Sequence, residues 1–297
     1  MQFAVIDIGS NAVRLLFANA NGDIDNIIVD KASLIRVPLR LGKDVFNNSK
    51  ISKAREKKLI KTMKAFKILI GVMEPYKVRA YATSAMREAK NSNKIIKHIN
   101  NEIGISIEII SGSKEAEIIR EINKMIFTNP QYIQLMVDVG GGSTEISAEK
   151  NGKLIKLKSF EIGTIRMLNN NYDTGIWDEI TNWLSEFRKE KGRINVVGSG
   201  GNINKIKKIF GNSSGITLST ETLKQTIETL EPLSIEDRIK NYNMRKDRAD
   251  VIVPAAKIFY HIQEVLQSDI IHVPKIGLSD GMVHQLYKEF LQEVENE

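Results

Sequence analysis

Residues 4–18 read AVIDIGSNAVRLLFA, and residues 135–149 read LMVDVGGGSTEISAE. The two stretches align without a gap. Each runs from an apolar strand through Asp-x-Gly and a small polar turn into a second apolar strand, the pattern of a β-hairpin with a carboxylate at its turn. A doublet this widely spaced is no solenoid repeat. It predicts two homologous domains, each opening on one hairpin and each lending a turn to a shared cleft. No Pro/Gly/Ser-rich linker separates the halves, so the two are expected to be closely connected.

The two turns offer different groups. In the first, Gly9 lets backbone N–H groups approach a ligand. Ser10 and Asn11 add hydroxyl and amide donors, and Asp7 suits a metal ion or a metal-bound water. A plain Asp-Gly hairpin turn is the alternative. The second turn places Gly140, Gly141 and Gly142 in a row. Three glycines make poor strand, so either the backbone itself is wanted there or the stretch is simply a flexible turn. Their N–H groups suit an anion nest, with Ser143 and Thr144 adding hydroxyls. Asp138 and Glu145 bracket the glycines as two carboxylates suited to one divalent cation. A third stretch, VVGSGG at 196–201, runs a strand into a glycine-rich helix start, where the N–H groups of Gly200 and Gly201 favour an anion. It has neither the G-x-G-x-x-G spacing nor a Walker lysine.

Two further segments supply side chains. In ATSAMREAKN (82–91) a strand ends at a helix start, and Arg87 is placed either to fork onto a phosphate or to serve as a surface ion-pair partner. In ISGSKEAEIIR (110–120) Glu115 falls in the first turn of a helix. It is either a general base or simply an acid that the helix dipole favours.

The chain has 297 residues, 42% hydrophobic and 27% charged, the mix of an ordinary globular protein of one large or two medium domains. With no cysteine, disulfides, thiolate nucleophiles and cysteine-ligated metals are excluded. A first strand starting at Gln2 leaves no room for a signal peptide. No apolar run reaches a membrane span, so no membrane association is expected and a cytoplasmic location is. The net charge of +7 favours anionic partners, or reflects a composition rich in Lys, Ile and Asn throughout. No nucleic-acid module is recognisable, so no nucleic-acid partner is expected. The runs KAREKK and KKIFG read as solvated helix faces.

Strands are predicted at QFAVIDIG, VRLLFANA, DNIIVDK, RVPLRLG, KVRAYATSA, SIEIIS, LIKLKSF, INVVGSGG and DIIHVPK, besides the second hairpin. Helices are predicted at about 52–72, 85–103, from 113, 176–191, from 202, across much of 221–267, and at 279–297. Mixed sheets covered by helices follow, an α/β class.

Together DIGSNAVRLL, ATSAMREAKN, ISGSKEAEII, DVGGGSTEIS, VGSGGNINKI and RADVIVPAAKI resemble the exopolyphosphatase/guanosine pentaphosphate phosphatase family of the actin-like ATPase superfamily. The likeness runs in the family's order over most of the chain. It implies two ribonuclease-H-like domains with mixed five-stranded sheets flanked by helices, and an active site in the interdomain cleft. Domain I would be 1–117, completed by the C-terminal helix 282–297, and domain II 118–281. The implied activity is removal of terminal phosphates from inorganic polyphosphate, with pppGpp 5′-phosphate hydrolysis as the alternative, using Mg2+ or Mn2+ in a monomer or homodimer. Glu115 would orient or deprotonate the attacking water, with Arg87 and Glu145 completing the catalytic set. Asp138, Glu145 and Asp7 would serve the metal. Ser10, Asn11 and Arg87 would contact phosphate, and Gly140, Gly141, Gly142, Ser143, Thr144, Gly200 and Gly201 would cradle it.

The chain is expected to be the short, two-domain form of the family. Lys114 stands where many members carry a second acid, and FEIGTIRM (Gly163, Thr164, Arg166) matches the family's Gly-x-x-Arg segment only loosely. A kinase or ATPase of the superfamily, with VVGSGG as an adenosine element, and a non-catalytic polyphosphate or alarmone binder are the competing classes.

Overall fold

The computed structural model describes residues 1–123, 131–188, 194–212 and 215–296. They fall into two compact units, Met1–Met125 with Leu278–Glu297, and Ile126–Gly277.

The first unit opens with β1 (Gln2–Ile8), β2 (Val13–Asn21) and β3 (Ile28–Val37). Next come α1 (Leu41–Asn48), α2 (Lys53–Met73), β4 (Lys77–Ala82), α3 (Ser84–Glu88), α4 (Ser92–Ile103), β5 (Glu108–Ile109) and α5 (Gly112–Asn123). Its sheet runs β3-β2-β1-β4-β5. β1 pairs antiparallel with β2 and parallel with β4. As the central strand β1 is buried on both faces from Phe3 to Ile8, which is why FAVIDI reads as a continuous rather than alternating apolar run.

The second unit holds β6 (Ile133–Val139), β7 (Thr144–Lys150), β8 (Lys153–Phe160), α6 (Thr164–Leu168), α7 (Ile176–Ser185), β9 (Ile194–Ser199) and α8 (Gly201–Phe210). It continues with β10 (Thr217–Ser219), α9 (Thr220–Leu230), α10 (Ile235–Tyr242), α11 (Lys246–Ala249), α12 (Ile252–Leu266) and β11 (Ile270–His272). Its sheet runs β10-β11-β9-β6-β7-β8. Apart from the added edge strand β10, the order and strand directions repeat those of the first unit. Even a β-bulge repeats: the β2–β3 register shifts between Phe17 and Ala18, and the β7–β8 register shifts at the matching Ala148 and Glu149. The echo of the two hairpins is thus an echo of two whole sheets.

Three local features depart from the sequence expectation. The predicted strand RVPLRLG is the end of β3 followed by α1. Pro38 cannot donate to a ladder, Arg40 takes a left-handed conformation at φ 55°, and Leu41, Val45 and Phe46 then bury one helical face. The predicted helix at 85–103 is split into α3 and α4. The break is held by the Asn91 side chain, which accepts from the Ile51 N–H at 3.0 Å and donates to the Ile51 carbonyl at 2.9 Å. The second sheet has six strands rather than five, because residues 217–219 pair antiparallel with β11. The end of the helix predicted at 176–191 lies outside the described residues.

The last helix, α13 (Leu278–Glu295), packs into the first unit through Leu278, Met282, Val283 and Leu286. On its outer side Glu289 accepts from Arg79 at 2.7 Å, which holds the Glu289 carboxyl below its ordinary pKa. On the inner side, burial holds the His284 imidazole below the usual histidine value. Glu121 of α5 pulls the other way, and Lys288 adds to the fall. For such a group the unfolded chain binds the extra proton. Its stability contribution is present above the unfolded pKa of about 6.5 and is lost as pH falls through the folded value. Urea denaturation between pH 7.5 and 5 is therefore expected to show falling stability for the wild type and a flatter profile for His284→Gln.

Candidate active site

The first hairpin closes with the Gly9 N–H donating to the Ala12 carbonyl at 3.1 Å. Its register sets Asp7 directly opposite Arg14, and the Arg14 guanidinium pairs with the Asp7 carboxylate. Two elements brace the turn, α3 and the start of α1. The Ser10 hydroxyl lies 2.7 Å from the Ser84 hydroxyl and accepts from the Ala85 N–H at 3.2 Å, both at the start of α3. The Gly42 N–H donates to the Ser10 carbonyl at 2.9 Å, and the Arg40 N–H to the Asn11 carbonyl at 2.8 Å. The turn therefore recruits α1, a role that nothing in RVPLRLG signals on its own.

Arg87, on the short α3, donates from Nη1 to the Ile110 carbonyl at 2.8 Å. Ile110 leads into Ser111, whose hydroxyl accepts from the Lys114 N–H at 3.1 Å and whose carbonyl accepts from the Glu115 N–H at 3.0 Å. Ser111 is thus the N-cap of α5, and Glu115 stands buried in the first turn of that helix. Ser10, Ser84, Arg87, Ile110, Ser111 and Glu115 form one connected path. The arginine read as a phosphate clamp spends one of its five donors on placing the helix that carries Glu115.

The second hairpin closes the same way, with the Gly140 N–H donating to the Ser143 carbonyl at 3.0 Å. The position taken by Arg14 in the first hairpin is here Glu145, directly opposite Asp138. Direct cross-strand partners share a face, with Cβ atoms about 4.5–5.5 Å apart. Like charges so placed are destabilising, the more so where Glu145 is only 2% exposed. The Ser159 hydroxyl donates to Glu145 Oε1 at 2.8 Å, which holds the carboxylate in place without neutralising it. The first hairpin meets the same need internally, through Arg14. The second has two hard oxygen donors side by side, a set that fits Mg2+ or Mn2+. Asp7, already paired with a guanidinium, offers no such set within its hairpin.

The glycine turn is braced through its carbonyls. The Thr164 N–H donates to the Gly140 carbonyl at 3.0 Å, the Ile165 N–H to that of Gly141 at 2.8 Å, and Arg166 Nε to that of Gly142 at 2.6 Å. A Cβ on Gly163 would stand 2.6 Å from both Gly141 C and Gly142 N, so only glycine fits there. The Thr144 hydroxyl is buried and donates to the Ile162 carbonyl at 2.7 Å, so it serves this brace. Gly163 and Arg166, only a loose motif match in the sequence, are the fasteners of the turn. The legible signal is a glycine three residues past the end of a strand and directly before a helix. Gly163→Ala is expected to cost about 1–3 kcal/mol through overpacking, read as a lower urea midpoint with unchanged m-value.

The stretch VVGSGG forms β9 and the start of α8, and Ser199 pairs with Asp138 in the sheet. Gly200 has φ +102°, and a Cβ there would lie 3.3 Å from both Asp138 Oδ1 and the Val139 carbonyl. It is the backing of Asp138. Beside Gly201, at the N-terminus of α8, the Arg248 guanidinium hydrogen-bonds to Asn202 Oδ1. Arg248, from RADVIVPAAKI, adds a cation where the helix dipole already favours an anion, a placement that only the tertiary structure reveals.

These parts can bind phosphate through backbone and side-chain donors and hold a divalent cation at a carboxylate pair. The model of the Ppx/GppA phosphatase family matches residues 30–290. A bifunctional 3-dehydroquinate synthase/phosphatase of Fusobacterium nucleatum is 29% identical over 91% of the chain; the chain spans 44% of that protein's length. Exopolyphosphatase 1 of Mycobacterium tuberculosis is 24% identical over 95% of the chain and 87% of its own length. Among solved structures, the Aquifex aeolicus member of the Ppx/GppA family is 26% identical with a TM-score of 0.76, covering 99% of this chain and 98% of its own. No described helix is long and apolar enough to cross a membrane.

Proposed function

Because the chain belongs to the Ppx/GppA phosphatase family, we propose that it is an exopolyphosphatase that hydrolyses the terminal phosphoanhydride bond of inorganic polyphosphate. Water attacks the terminal phosphorus in line, the bridging P–O bond breaks, and orthophosphate leaves the shortened chain. Glu115 orients the water and takes its proton. The N–H groups of Gly141, Gly142 and Ser143 bind phosphoryl oxygens on the side away from the carbonyls that the 164–166 segment takes up. Ser10 and Asn11 contact phosphate from the first turn, Arg87 from α3, and Gly200 and Gly201 from the start of α8. Asp138 and Glu145 would hold Mg2+ or Mn2+, which would supply charge neutralisation to the transfer. Asp7 keeps its turn in shape through Arg14.

The observation that carries this reading is the second hairpin. A glycine turn fastened by its carbonyls and bracketed by a cross-strand acid pair replaces the self-neutralised Asp7 and Arg14 of the first. Two carboxylates opposite each other suit a divalent cation, and the glycine turn between them suits an anion. Phosphoryl transfer needs mainly positioning and charge neutralisation, which these parts supply.

Phosphate release from long-chain polyphosphate, pppGpp and ATP, each with Mg2+ and with chelator, tests the reading. Polyphosphate is expected to be the best substrate and chelator to abolish release. Preference for pppGpp would move the assignment to the alarmone, and preference for ATP would overturn it.

A further inference from the structure

We propose that the outward face of α2 is a docking track for the distal part of a linear polyphosphate chain whose end occupies the first turn. The proposal rests on the polyphosphate reading above. α2 carries six lysines and one arginine against a single acid, Glu56, in 21 residues. The arginine, Arg55, is taken by Asp44. Lys53, Lys57, Lys61 and Lys64 fall within about 80° of the helix circumference at 100° per residue, opposite the face that buries Leu59, Met63 and Phe66. All four are exposed. Among the described residues no carboxylate pairs with any of them. They form a cationic row about 16 Å long at 1.5 Å per residue.

The row is not what a merely solvated helix face requires. Such faces gain from acids interleaved three or four residues from lysines, whereas here lysine follows lysine at those spacings, which destabilises the helix. Lys53 also stands at the first position of α2, the end where the helix dipole favours negative charge. A polyanion relieves both conflicts at once. KAREKK is a solvent-exposed helix face, as its sequence leads one to expect, and the proposal adds a ligand to that face.

The row also begins in the right place within its unit. The Lys90 N–H donates to the Ser49 carbonyl at 2.9 Å, and Asn91 clasps Ile51, so the start of α2 is pinned to the junction that follows Arg87. The helix of Arg87 in turn begins at Ser84, on the Ser10 hydroxyl. A chain leaving the first turn past Arg87 and Lys90 therefore meets Lys53 first and can run along the row.

The test compares wild type with two fourfold variants at 53, 57, 61 and 64, all Lys→Gln and all Lys→Arg. Each is assayed on long-chain polyphosphate and on tripolyphosphate, which is too short to reach the row. The Gln variant is expected to lose at least tenfold in kcat/KM on the long chain, through KM, and nothing on tripolyphosphate. The Arg variant should match wild type. Four lost contacts at about 0.7 each should flatten the log–log salt dependence of long-chain binding by about 3. An unchanged long-chain KM in the Gln variant, or an equal loss on tripolyphosphate, overturns the track. If wild type hydrolyses neither substrate, the functional reading fails by itself. The track is then judged on binding of long-chain polyphosphate alone, where equal affinity of wild type and Gln variant overturns it.

Discussion

Glu115→Gln is expected to lower kcat on polyphosphate by on the order of 10²–10⁴-fold, the usual worth of a positioned general base. The substitution keeps size and hydrogen-bonding reach and removes basicity. The backbone of Glu115 is held by the Ser111 cap, and Ser111 follows the Ile110 carbonyl that Arg87 grips, so α5 should stay in place. Equilibrium binding of polyphosphate and the thermal midpoint should therefore stay close to wild type. The rate loss should appear in single-turnover kinetics, which isolates the bond-breaking step. Survival of turnover would move the base to another residue. Loss of binding together with rate would mean that Glu115 shapes the site rather than acting in it.

Glu145→Arg should have an effect as large and of a different kind. The substitution writes the first hairpin's solution, an acid opposite an arginine, into the second. In the absence of divalent cation the variant should be no less stable than wild type. A gain of about 1 kcal/mol would raise the melting temperature of a unit this size by about 2–4 °C. Mg2+, which at 100 times its dissociation constant should stabilise wild type by about 2.7 kcal/mol, should leave the variant unmoved. Hydrolysis should be lost. Melting curves with Mg2+ and with chelator decide the matter. An Mg2+ shift that persists in the variant would place the metal elsewhere. A large metal-free destabilisation would show that the hairpins are not equivalent at this position, and Glu145→Gln, which keeps the Ser159 contact, would then carry the metal test alone.

Much of this was legible in the sequence because it is written locally. An apolar strand, Asp-x-Gly, a polar turn and a second apolar strand need no distant partner to be recognised, and the doublet implies the doubled sheet. Glu115, Arg87 and the glycine turns were readable as residue types at strand ends and helix starts, where fixed dipoles and free N–H groups concentrate. What escaped was set by contacts remote in the chain. RVPLRLG alternates like a strand, yet the carbonyls of Ser10 and Asn11 draw residues 40–42 into the start of α1. The break between α3 and α4 has no glycine or proline to announce it, only Asn91 reaching Ile51, 40 positions away. The bracing of the glycine turn by Gly163 and Arg166 depends on strand β8 returning alongside β7. The pairing of Asp7 with Arg14 follows from hairpin register, and it separates two carboxylates that look alike in the sequence.

The most direct test of the central claim is hydrolysis of long-chain polyphosphate in 18O-labelled water with Mg2+. In-line attack of water on the terminal phosphorus predicts one labelled oxygen in each released orthophosphate and none in the shortened chain after a single turnover. Label retained on the remaining chain, or terminal phosphate recovered on an acceptor other than water, would contradict it.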